Sequence, residues 1–122
     1  MNPEIRSLVP EDLPRHCGRA AGERTVGLIG FVDGRFVAAG GLDYCESGEV
    51  IAWCKVTREA RRHRIAFWRE CRRVLEAARE AGHERVLAVA SPIIPTAPAF
   101  LARLGFREVG TRFGMRLFAW EP

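Results

Sequence analysis

The chain has 122 residues, of which 48% are hydrophobic and 28% charged, and its formal net charge is +4. That length fits one domain, residues 1–122, and is short for two, while the composition excludes disorder and collagen-like or other low-complexity repeats. Of the 19 basic lysines and arginines, only Lys55 is lysine, so positive charge is carried by planar, fork-shaped guanidinium groups.

The first two dozen residues are weakly patterned, an abbreviated N-terminal region in which Pro10 to Leu13 opens a short helix. Thr25 to Val32 reads as a strand, Asp33-Gly34 as a turn pair and Arg35 to Ala39 as the return strand. Gly40-Gly41 is expected to mark a bend or bulge. After a turn at Ser47-Gly48, Glu49 to Val56 forms a third strand. Its Val50, Ala52, Cys54 and Val56 alternate with Ile51 and Trp53, so both faces are apolar, as in a central strand. From about 59 to 81 the period becomes helical, and Gly82 ends the run. Glu84 to Ala90 is a short strand, and Pro95 to Leu104 a second helix closed by Gly105. Phe106 to Val109 and Met115 to Trp120 are the last two strands, around Gly110 and Gly114. The order β-β-β-α-β-α-β-β implies an α/β fold: a bent, mostly antiparallel sheet with one parallel pair across the crossover helix.

The start, Met1-Asn2-Pro3-Glu4, lacks the basic and apolar regions of a signal peptide. No stretch approaches the ~20 apolar residues of a membrane helix, so no membrane insertion is expected. Cys17, Cys45, Cys54 and Cys71 form no C-x-x-C and read as reduced, mostly buried thiols. His16 beside Cys17 is the one ligand-like pair; without zinc-type spacing, no metal is expected.

The charge is concentrated. Arg58 to Arg73 holds seven arginines against two glutamates, so the rest of the chain is near neutral. Three uses of this run are open. It can hold a phosphate ligand at the start of a helix, where free amides and the helix dipole favour anions. It can neutralise a nucleic-acid backbone. Or it is a solvated face with internal pairs such as Arg72 and Glu76, one helical turn apart.

Two segments carry a family resemblance: Val56 to Ala66, and Ala97 to Phe106 with its Leu104-Gly105-Phe106 ending. They resemble the GNAT superfamily of acetyl-CoA-dependent N-acyltransferases, and the element order from Thr25 onward is similar to that fold. The family's loop, Arg/Gln-x-x-Gly-x-Gly/Ala, follows a strand ending in Val and opens the long helix. Arg61 stands at its first position, Ala66 at its last, and Arg64 replaces the middle glycine. The resemblance implies a GNAT-like fold with helices at about 59–81 and 95–104. It also implies acetyl-CoA or CoA as cofactor, held by Val56, Arg61, Arg62, His63, Arg64, Ile65 and Ala66. The family's general-acid tyrosine corresponds to Leu101, and an often-present asparagine to Ile94. Leu101 has no proton to donate. Glu49 and His63 are the candidate bases; Glu49 alternates onto the strand face opposite Val56.

The chain also resembles small GNAT-like phage proteins, including the internal virion protein family of short-tailed phages, through Trp53, the Arg58 to Arg64 run and Leu104-Gly105-Phe106. The leading expectation is an acyltransferase-like protein with an atypical or degenerate active site. The alternative is a non-catalytic virion-associated or assembly protein with phage structural partners. The third is a basic nucleic-acid-binding module acting through Arg58–Arg73. A cytoplasmic or virion location follows from these readings.

Overall fold

The computed structural model describes residues 3–20 and 24–121. Seven strands form one sheet: β1 (Glu4–Ser7), β2 (Thr25–Val32), β3 (Arg35–Tyr44), β4 (Val50–Val56), β5 (Val86–Ala90), β6 (Arg107–Arg112) and β7 (Met115–Trp120). Their spatial order is β1-β2-β3-β4-β5-β7-β6. Every neighbouring pair is antiparallel except β4 and β5, which the crossover helix makes parallel. Three helices accompany the sheet: α1 (Asp12–His16), α2 (Arg64–Glu80) and α3 (Ala97–Leu104), with a 3-10 segment at Arg58–His63 leading into α2.

The helix ends follow from backbone chemistry. At Gly105 the backbone turns left-handed, φ +102°. Its amide then reaches the Ala102 carbonyl at 3.0 Å, and the Phe106 amide reaches Leu101 at 3.0 Å. This paired motif satisfies two orphan carbonyls and turns Phe106 into the core. The Leu-Gly-Phe signature is therefore a helix terminator with an apolar anchor. Gly82, φ +91°, ends α2 the same way, through His83 to Ala78 at 3.1 Å.

Two layers of core lie on opposite sheet faces. One face packs Leu42, Val50, Val86, Ala88, Phe118 and Trp120 under Leu75 and Ala78 of α2 and Leu104 of α3. On the other face, Leu13 and Cys17 at α1 pack against Ile29 and Ala39, with Trp53 at the edge of the cluster. Arg6 anchors α1 to β1 by a two-point bond to Asp12, at 2.7 and 2.8 Å. That bond holds the buried Asp12 carboxyl down at about 2, helped by the Val9 amide.

Three expectations need correction. Gly40-Gly41 is no bend: β3 runs straight through it to Tyr44, in register with Cys54 and Trp53. The requirement for glycine is close approach, because a Cβ on Gly41 would lie 2.0 Å from the Val26 carbonyl oxygen. The bulge lies earlier, where Gly30 pairs with Ala38 but Phe31 with Phe36, leaving Val37 as the extra residue. The long helix does not begin at 59, since six residues are wound as 3-10 before α2 starts. The last hairpin turns at Phe113-Gly114, with Gly110 inside β6. One strand, β1, carried no sequence signal.

Candidate active site and anion-binding loop

The β4–β5 ladder holds a single pair, Ile51 with Leu87. Beyond it the two strands part. Cys54, Lys55 and Val56 are exposed as a result, although β4 stays fully paired with β3 on its other side. The parallel pair thus opens at its C-terminal end, where Val56 leads into the basic loop. An open sheet edge presents unpaired amides and carbonyls to a ligand with matching groups.

The loop is moored to the bulge of β3. Thr57 donates twice to the Val37 carbonyl, from its amide at 3.0 Å and its hydroxyl at 2.7 Å. Ala60 then donates to Thr57 and buries its methyl with Val32, Val37 and Ala38. A 3-10 helix bonds an amide to the carbonyl three residues back, as Ala60 does to Thr57. Side chains are what it offers outward. Arg61, Arg62, Arg64 and Ile65 are exposed, His63 and Ala66 half-buried. Among the described residues, Arg58, Arg61, Arg62, Arg64 and Arg69 make no ion pair. Further along, the pattern reverses. Arg73 pairs with Glu70 at 2.9 Å, and Arg72 and Arg79 share Glu76 at 4.0 and 2.6 Å. The run is therefore divided, its first half without ion pairs among the described residues and its second half largely neutralised on the helix face.

The structure brings Val56 and residues 61–66 together at one end of β4. Glu49 lies at the other end, about 23 Å away along an extended strand. Glu49 precedes β4 by one residue, and β4 shows no register shift against β3, so nothing reverses its alternation. Its carboxylate accepts from Arg112 of β6 at 2.9 and 3.4 Å. That hydrogen bond and the guanidinium charge lower the Glu49 pKa. Two strands separate β4 from β6, about 14 Å in a flat sheet, and the twist of the sheet lets the side chains meet. The contact ties the β6–β7 hairpin to the start of β4. Sequence reasoning missed Arg112, and no local signal marks a partner 63 residues away. Thr57 was missed too, although a threonine between strand and helix is a plausible anchor.

Other conspicuous residues serve packing. Leu101 is packed against the core under α3. Burial pushes the Cys71 thiol on α2 up to about 12, which leaves it protonated and inert. His16 stacks on Phe36 at 5.4 Å and meets Phe31 edge-on at 5.3 Å. Among the described residues no three His, Cys, Asp or Glu side chains gather as a metal site. No helix among them is long and apolar enough to cross a membrane.

The sheet order, the parting of β4 and β5, and the helix after the basic loop define an α/β GNAT-like fold. Solved acetyltransferases share it. The PaiA N-acetyltransferase of Thermoplasma acidophilum, in complex with coenzyme A, superimposes with TM-score 0.74 at 13% identity over 100% of both chains. The ribosomal-protein-S18-alanine N-acetyltransferase of Escherichia coli gives 0.70 at 16% identity, covering 98% of this chain and 93% of that one. A GNAT-family acetyltransferase of Staphylococcus aureus gives 0.68 at 14% identity, over 90% and 76%. At such identities the likeness establishes the fold. No family model and no curated protein matches the sequence.

Proposed function

We propose that the protein binds acyl-CoA and transfers the acyl group to an amine, through a site reduced relative to the usual GNAT pattern. The observation that carries this reading is the open C-terminal edge of β4 beside Arg58, Arg61, Arg62 and Arg64, none of them ion-paired among the described residues. The phosphates of CoA would lie against these guanidiniums, with pantetheine along the edge from Trp53 to Val56. The fit rests on the charge of these exposed guanidiniums. Arg64 is exposed, which supports a fork on phosphate over a side chain folded into the phosphate space.

Bound CoA would supply an activated thioester. The chain's own contribution is then to hold thioester and amine together, and proximity of this kind is worth about 7–11 kcal/mol. Glu49, ionised beside Arg112, is suited to attract an incoming ammonium more than to abstract a proton strongly. No tyrosine stands at Leu101 to protonate the leaving thiolate, and lacking such an acid costs about 10²–10⁴-fold in rate.

Calorimetric titration with CoA and acetyl-CoA at moderate salt tests the proposal. Binding that Arg61→Ala weakens and Arg103→Ala leaves intact is the expected result. No binding at millimolar ligand overturns it. Leu101, which has no proton to donate, favours a second reading, a non-catalytic module on the same fold, and the phage-type virion role belongs to that reading. A CoA-binding result without thiol release on any amine would favour it.

A further inference from the structure

The basic loop holds one carboxylate. From Arg58 to Arg69 the chain has five arginines and a single acidic residue, Glu59. In a 3-10 helix, side chains three residues apart eclipse one another, so Glu59 and Arg62 share one edge of the segment. Pairing between them is the local default, and it is not the pairing formed. Glu59 instead receives Arg35 of β3, whose Nη2 donates to both carboxylate oxygens, at 2.9 and 3.2 Å. Arg62 stands exposed and makes no ion pair among the described residues.

The fold arranges this choice. Thr57, two residues before Glu59, is bonded to the Val37 carbonyl through its amide and its hydroxyl. Val37 lies two residues after Arg35, so the mooring of the loop carries Glu59 to the start of β3. Asp33, the other carboxylate near Arg35, is 4.0 Å away and leaves the guanidinium to Glu59. A contact between residues 24 apart thus displaces one between residues three apart.

We infer that Arg35 is a positioning residue for the phosphate site: it holds Glu59 away from Arg62 and keeps the guanidiniums of the loop free for the ligand. The inference rests on the acyl-CoA reading and deepens it, assigning to the site a residue of another strand that acts without touching the ligand.

Calorimetric titrations compare the wild type with Arg35→Gln, Glu59→Gln and the double variant at low ionic strength, a complete double-mutant cycle. The probes are CoA and, as a bare anion, inorganic pyrophosphate. Arg35→Gln should weaken both roughly three- to fivefold, the scale of an exposed ion pair that must open before phosphate enters. Glu59→Gln and the double variant should bind as the wild type does. If Arg35 merely tethers the loop, all three variants weaken and the double variant is no better than Arg35→Gln. If diffuse charge decides, Glu59→Gln tightens binding, and losing Arg35 costs as much in that background as in the wild type. Either pattern overturns the inference, and so does wild-type affinity in Arg35→Gln. The two side chains are 59% and 28% exposed, so the melting temperatures of all three variants should stay within about 2 °C of the wild type. Pyrophosphate that shows the expected pattern while CoA fails to bind rejects the acyl-CoA reading and leaves the inference standing. A wild type that binds neither ends both.

Discussion

Two neighbouring arginine-rich stretches, residues 58–64 and 70–79, are in opposite electrostatic states. From Arg58 to Arg64 the guanidiniums stand exposed without carboxylate partners among the described residues. From Glu70 to Arg79 they are matched to Glu70 and Glu76 on the surface of α2. The difference lies in winding and spacing. An α-helix brings residues three and four apart together, so arginine and glutamate on one face neutralise each other. The 3-10 segment holds one glutamate, Glu59, and that is taken by Arg35 of β3 at 2.9 Å. A run of like charge becomes an anion site only where the fold withholds the partner.

The largest effect that would break this contrast concerns ligand affinity. Replacing Arg61 and Arg62 together by alanine should weaken CoA binding about 100-fold, since charge-assisted bonds to phosphate are worth about 1.5–3 kcal/mol each. Replacing Arg73 and Arg79 together should leave affinity unchanged in the same calorimeter. Equal losses from both pairs would show that diffuse charge, not placement, holds the ligand.

A half-buried pair sharpens the contrast next. Asp12 has its folded pKa depressed to about 2 from 3.8, first by the hydrogen bond from Arg6. A depressed carboxylate stabilises the fold above its unfolded pKa, and that contribution fades as pH falls from 3.8 through 2. It amounts to about 2 kcal/mol. Denaturant melts at pH 6 and pH 2 should show this loss in the wild type and a smaller one in Asp12→Asn. An identical pH response in both would sink the assignment.

Salt gives a milder test. Raising ionic strength from 0.05 to 1 M shortens the screening length from roughly 14 Å to about 3 Å. CoA affinity should fall markedly while the melting temperature moves little, because α2's pairs contribute weakly. The smallest effect is Glu76→Ala, which strips both Arg72 and Arg79 of their partner. Exposed pairs are worth about 0–1 kcal/mol, so stability should drop by less than 1 kcal/mol in urea melts.

Much of the fold was legible because its causes are local. The hairpin at Asp33-Gly34, the helical period up to Gly82 and the stop at Leu104-Gly105-Phe106 each depend on neighbours within a few residues. The basic loop was legible for the same reason, as strand, basic turn and helix follow one another directly. Gly40-Gly41 was misread because a glycine pair signals either a bend or a close approach. Only the neighbouring strand shows which, through the Val26 carbonyl beside Gly41. The start of the long helix was misplaced because 3-10 and α winding share their residue preferences and differ only in the bonded carbonyl.

The sequence by itself determined the elements, their order and the place of the charge, since periodicity, turn chemistry and capping act between residues close in the chain. Tertiary structure alone decided which charges stay unpaired, where β4 leaves β5, and that Glu49 meets Arg112. Those outcomes depend on distances across the sheet, set by twist and register. Glu59 belongs to both: the residue is plain in the sequence, and its capture by Arg35 appears only once β3 is seen beside the loop.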